Sequence, residues 1–167
     1  MKEVTIYYLQ MNNPQELSPV AVLPELEIRE CVRPQFKFNR FLYQLVGEPW
    51  SWTDKLSWSD DQWRELVESA DHRTWVAYYQ GAIAGYYELH RNGGDVEILY
   101  FGLVSDCIGM GFGAALLSNA IESAWQWQGA SRVWVHTCSL DHPAALKNYQ
   151  ARGLTLYREE VEQQVPA

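Results

Sequence analysis

The stretch Ile108-Gly109-Met110-Gly111-Phe112-Gly113 limits what this chain can fold into more than any other. Upstream, residues Val96 to Val104 are rich in β-branched and aromatic side chains and read as a largely buried strand. Downstream, Ala114 to Gln128 carries Leu116, Leu117, Ala120, Ile121, Ala124 and Trp125 at helical spacing, and Gly129 stops the run. Alternating glycines at a strand-to-helix turn leave backbone N–H groups exposed at the positive end of a helix. That arrangement suits a pyrophosphate.

A dinucleotide-binding βαβ unit is the first alternative, since Gly109, Gly111 and Ala114 satisfy G-x-G-x-x-A. It requires an acidic ribose-binding residue at the end of the next strand, about 20 residues on. The next strand is Arg132 to Thr137, and no carboxylate follows it until Asp141. The segments before the glycine turn also look like antiparallel hairpins. The dinucleotide reading is therefore set aside.

Composition narrows the classes further. The chain has 167 residues, 47% of them hydrophobic, enough for a single domain over 1–167 with a substantial core. No apolar run is long enough to span a membrane, and Met1-Lys2-Glu3-Val4 lacks the pattern of a signal peptide. Cys31, Cys107 and Cys138 are widely spaced, without metal-ligand spacing, so idle thiols in a reducing cytoplasm are expected and no metal is. The net charge of −8 repels nucleic acid and anionic membrane alike.

Val4 to Leu9 reads as a first strand and Leu26 to Val32 as a second, closed by Pro34. Phe36 to Val46 has a helical apolar face, and Ser59-Asp60-Asp61-Gln62 caps a second helix. Trp75 to Tyr79 and Ile83 to Leu89 flank a turn at Gln80-Gly81, and Asn92-Gly93-Gly94 leads into the Glu97 strand. After the central helix come the Arg132 strand, a helix from His142 to Arg152 and a strand from Leu154 to Glu160.

This order of elements resembles the GNAT superfamily of acyl-CoA-dependent N-acyltransferases. The family signature Gln/Arg-x-x-Gly-x-Gly/Ala is met at both small positions by Ile108 to Gly113. A second match is Asp141-His142-Pro143-Ala144-Ala145-Leu146 followed by Asn148 to Leu154, against a family Asn-x-x-Ala segment leading to Tyr-x-x-x-Gly-Phe. The likeness is good over roughly residues 70–160, and elsewhere rests on element order. Ile108 and Met110 depart from the usual polar and basic residues, and His142 stands where Asn is usual. Gly109 to Gln128 contains no Lys or Arg, so phosphate binding falls to backbone N–H groups. Lys147 and Arg152 are the nearest side chains that could assist.

The resemblance implies a mixed α/β fold, with a mostly antiparallel central sheet flanked by helices. It implies acetyl-CoA as cosubstrate and a small-molecule or peptide amine as acceptor, and many relatives dimerise. Cofactor contacts are expected at Phe101, Gly102, Leu103, Ile108, Gly109, Met110, Gly111, Phe112, Gly113, Ala114, His142 and Tyr149. The main chain of Phe101 to Leu103 is expected to hold the pantetheine arm and polarise the thioester. Glu97, a carboxylate in an apolar strand, is the expected base, with pairing to Arg91 or exposure to solvent its structural alternatives, Glu88 a lesser candidate and a water chain able to replace either. Tyr149 matches the tyrosine that protonates the leaving thiolate. His136 is expected to be a structural histidine. Trp50, Trp52, Trp58 and Trp63 fall where the family builds its acceptor pocket, or else fill the core. A non-catalytic acyl-CoA-binding or regulatory domain is the alternative function.

Overall fold

In the computed structural model, which describes residues 2–164, two helical layers cover one sheet. In chain order the elements are β1 (Lys2–Met11), β2 (Leu26–Glu30), α1 (Phe36–Gly47), α2 (Asp60–Val67), β3 (His72–Tyr79) and β4 (Ala82–Asn92). There follow β5 (Asp95–Leu103), α3 (Phe112–Gln126), β6 (Arg132–Cys138), α4 (Ala145–Ala151) and β7 (Thr155–Gln164). The seven strands lie in the order β2-β3-β4-β5-β6-β1-β7. The expected mixed α/β architecture with a mostly antiparallel sheet is present.

The hairpins form where turn chemistry allows. Gln80 and Gly81 both adopt positive φ, 51° and 82°, which matches the right-handed twist of β3 and β4. Ser59 and Gln62 cap α2 reciprocally. Leu116, Leu117, Ala120, Ile121 and Ala124 of α3 bury one stripe against β4, β5 and β6. On the opposite face α1 and α2 enclose Leu42, Tyr43, Val46, Trp63 and Val67. Each fully buried large apolar side chain contributes about 1.5–3 kcal/mol, so both layers are held firmly.

One pairing decides where function is placed. Among the described residues β5 and β6 are the only parallel neighbours in the sheet, as expected for strands joined by the α3 crossover. They pair only at Asp95–Arg132, Val96–Val133 and Glu97–Trp134, and then diverge. The rest of β5 stays in register with β4 on one side, at Tyr87–Phe101, Tyr86–Gly102 and Gly85–Leu103. Its other edge faces an open wedge.

The remaining differences from the sequence reading have simple causes. β1 lies between β6 and β7, far from β2, because alternation reports a buried face and not which strand pairs with it. α3 begins two residues before Ala114, since Gly111 in the left-handed region caps it. α4 starts three residues after His142, behind Pro143. Gly153 has φ +108°, and a Cβ there would meet the Glu16 carbonyl oxygen at 2.0 Å, so the approach of the chain after β1 demands glycine. All three cysteines are free. Among the described residues no helix is long and apolar enough to cross a membrane, and no cluster of His, Cys, Asp or Glu could hold a metal ion.

Candidate active site

The glycine turn opens into the wedge. After β5 a short 3-10 turn (Ser105–Cys107) leads to Gly109 at φ 89° and Gly111 at φ 82°, conformations that side chains rarely adopt. Open space lies where a Cβ would stand at either residue. The backbone N–H groups from Gly109 to Ala114 donate to no acceptor among the described residues. Six donors in a row at a helix N-terminus make a cradle for an anion. Phe112 contributes only its backbone, because its ring is buried against Tyr79, 5.1 Å away. Met110 is exposed.

A cleft of about 340 Å³ runs from this cradle along the free edge of β5. Phe101, Gly102, Leu103, Ile108, Gly109, Gly113, Ala114, His142 and Tyr149, all named from the sequence, line it. Met110, Gly111 and Phe112 do not form its walls. Lys147 lies exposed on α4, and neither it nor Arg152 is part of the lining. The cleft has no cation of its own.

Trp50, Trp52, Asp141, Ala144, Ala145 and Asn148 complete the lining; Trp50 and Trp52 were expected at the acceptor pocket or in the core, and no role was expected of the other four. Trp52 is seated by two glycines. A Cβ at Gly47 would meet it at 2.4 Å, and one at Gly102 would meet Val46 at 2.5 Å and the Trp52 ring at 3.6 Å. Gly102 is therefore required by close packing of α1 and Trp52, whereas the irregularity in β5 lies at Leu99, between the pairs Glu88–Tyr100 and Leu89–Ile98. The Trp52 indole N–H donates to Asp141 Oδ1 at 3.1 Å. Asp141 Oδ2 accepts from the Thr137 hydroxyl and, at 3.1 Å, from the Cys138 N–H. Trp50 stands edge-on to His142 at 5.0 Å. A carboxylate just after a strand, accepting from the chain three residues back, is the one sequence cue that could have found Asp141.

Tyr149 lines the cleft and Glu97 does not. Tyr149 is 5% exposed, edge-on to Phe101 at 6.1 Å, and its hydroxyl has no partner among the described residues. Burial, reinforced by Asp141, pushes its phenol well above the ordinary range, so it stays protonated. Glu97 occupies the last paired position of β5, at the apex of the wedge, with its side chain 16% exposed. Burial raises its carboxyl from 4.5 to about 7, against the pull of Lys55. The nearest ionisable group is His136 Nε2 at 3.7 Å, while Arg91 pairs with Asp71 instead. His136 is not packed in the core: its side chain is 49% exposed. Burial lowers its pKa below 6.5, only partly offset by Asp141 and Asp54, so the contact with Glu97 is a weak one.

Glu88 is unavailable as an alternative base. It is fully buried and bonded to His72 on the α1 side of the sheet. Of the tryptophans, Trp63 is core, Trp50 and Trp52 line the cleft, and Trp58 carries the Lys55 ammonium on its face at 4.5 Å.

No curated protein matches the sequence. In fold the chain is similar to a GCN5-related N-acetyltransferase from Sphaerobacter thermophilus, at 17% identity and a TM-score of 0.70 over 95% of this chain and 50% of that one. It is also similar to a GCN5-related N-acetyltransferase from Kribbella flavida, at 16% identity and 0.65 over 91% and 54%. The chain thus spans about half the length of either structure. An aminoglycoside acetyltransferase from an uncultured soil metagenomic sample, solved in complex with sisomicin, matches at 15% identity and 0.63 over 77% of this chain and 88% of that one. The model of the acetyltransferase (GNAT) family matches residues 39–154, which run from within α1 through the glycine turn and the wedge to beyond α4. The chain belongs to the GNAT acetyltransferase family.

Proposed function

We propose that residues 1–167 act as one N-acetyltransferase domain, moving an acetyl group from acetyl-CoA to a primary amine by direct attack. The observation that carries this reading is the row of unpaired N–H groups from Gly109 to Ala114, opening into a wedge bounded by the unpaired edge of β5. The cradle fits a pyrophosphate, and the apolar cleft beyond it fits an extended thioester arm. Acetyl-CoA supplies an activated acyl group. Three cysteines kept as thiols suit the reducing cytoplasm.

The chain's own groups then divide the work. Main-chain groups of Phe101 and Leu103, on the edge of β5 turned away from β4, stabilise charge developing on the thioester oxygen, while Gly102 between them pairs with Tyr86 and lines the cleft. Glu97, with a carboxyl near neutrality, takes the proton that a cationic amine must lose before it can attack. Tyr149 holds its proton and delivers it to the leaving sulfur. Tyr149→Phe is expected to bind acetyl-CoA as the parent does and to turn over at least tenfold more slowly in a thiol-release assay. Unchanged turnover would remove the hydroxyl from the mechanism.

The cofactor reading is tested by thermal unfolding with acetyl-CoA, CoA, NAD and ATP in parallel. A ligand present at about 100 times its dissociation constant adds roughly 2.7 kcal/mol, a rise in Tm of roughly 5–10 °C for a chain of this size. A rise with the two CoA species alone supports the reading, and no rise with CoA at millimolar concentration defeats it. Binding without thiol release from any amine would instead favour an acyl-CoA-binding regulatory domain, which the lack of a cation at the turn also favours.

A further inference from the structure

A primary amine stands against Tyr100 of β5, next to the residues that line the cleft. Lys55 lies in the turn between α1 and α2, and its backbone N–H donates to the Tyr43 hydroxyl at 3.2 Å. Its Nζ stands 4.5 Å from the centre of the Trp58 ring and 4.8 Å from that of Tyr100, and it bonds the Tyr100 hydroxyl. Two aromatic faces and a phenol form a slot for a cation. Tyr100 precedes Phe101 on β5, and its ring packs 5.4 Å from Trp52 of the cleft lining. Glu97 is close enough that it and Lys55 bias each other's ionisation, and Asp54 and Lys55 do the same to His136 on β6. The Lys55 side chain therefore reaches β5 at Tyr100, three residues from Glu97 along the strand.

Resting on the acetyl-CoA reading above, we propose that the chain acetylates itself at Lys55 Nζ. The ammonium gives one proton to Glu97, and the neutral amine attacks the thioester carbonyl carbon. The N–C bond forms, the C–S bond breaks, and a second amine proton passes to the departing sulfur by way of Tyr149. Acetyl-CoA and lysine become Nε-acetyllysine and CoA, and the proton on Glu97 is released to solvent. The local environment favours the first step. Burial lowers the Lys55 ammonium from its ordinary range more than Glu88, Asp54 and Glu97 raise it, so the amine form is easier to reach than at an exposed lysine. Acetylation removes the charge and with it the attraction to Trp58 and Tyr100.

The test incubates the purified chain with isotopically labelled acetyl-CoA, measures binding by calorimetry, and maps the label by peptide mass spectrometry. Lys55 is expected to take up label at a rate unchanged by tenfold dilution of the protein. Lys2, Lys37 and Lys147 are expected to label at least tenfold more slowly. Lys55→Arg keeps the cation and should abolish the fast label, and Glu97→Gln should slow it at least tenfold while acetyl-CoA still binds. Saturable binding with Lys55 no faster than Lys37, a rate proportional to protein concentration, or full-rate labelling in Glu97→Gln overturns self-acetylation and leaves the cofactor reading intact. Absence of acetyl-CoA binding overturns both.

Discussion

Replacing Glu97 by glutamine is expected to stop turnover while making the folded chain more stable. Both effects follow from one burial. The Glu97 carboxyl is raised from 4.5 to about 7, so the folded state prefers the protonated form that glutamine imitates. A raised carboxyl pKa costs no stability below the unfolded value, and costs progressively more as pH rises through the window from about 4.5 to 7. A shift of that size corresponds to about 3 kcal/mol above neutrality. The variant should therefore match the parent in Tm near pH 4 and exceed it at pH 8. Activity moves the other way. The parent needs the ionised carboxylate, so its kcat/KM should fall about tenfold per pH unit below 7, and the variant should lose 10²-fold or more at pH 8. Equal Tm values at pH 8 would show that the carboxyl is not strained by its site. Retained turnover would show that another group takes the proton.

The contrast between what the sequence made legible and what it did not follows the reach of the interactions. The glycine turn, the β3-β4-β5 meander and the α2 cap are local: Gly109 and Gly111 need positive φ, Gln80-Gly81 needs a hairpin turn, and Ser59 needs Gln62. Each is settled within a few residues, so residue types announce it. The partner of β1 depends on a contact with β6 more than a hundred residues away, and no periodicity carries that information. The site divides in the same way. Phe101 to Leu103 and the glycines could be named because they are consecutive along the chain. For Trp52 the choice between acceptor pocket and core stayed open, because its position depends on Gly47, Gly102 and Asp141 together. The charge state of Glu97 was equally hidden: its identity was readable, but its burial beside His136 comes from the divergence of β5 and β6.

Asp141→Ala is expected to loosen both the fold and the cleft. One carboxylate accepts from the Trp52 indole, the Thr137 hydroxyl and the Cys138 N–H, joining the loop after α1 to the end of β6. Hydrogen bonds to a charged group contribute about 1.5–3 kcal/mol each, although the bonds here act on one another and part of that is recovered through water. A net loss of about 3 kcal/mol is reasonable for the set, or roughly 6–12 °C in Tm. The consequence for binding follows from the same tether. Without Asp141 the Trp52 ring keeps its seat over Gly47 and Gly102 but loses its anchor across the cleft, so the lining is no longer held in the binding geometry. Acetyl-CoA affinity should fall at least tenfold. Trp52→Phe removes a single donor and keeps an aromatic ring, so it should cost only about 1–2 kcal/mol. In the double variant the two losses should not add, because the Trp52–Asp141 bond can be lost only once. Full additivity, or an Asp141→Ala protein with unchanged Tm and affinity, would show that the loop is held by ring packing alone.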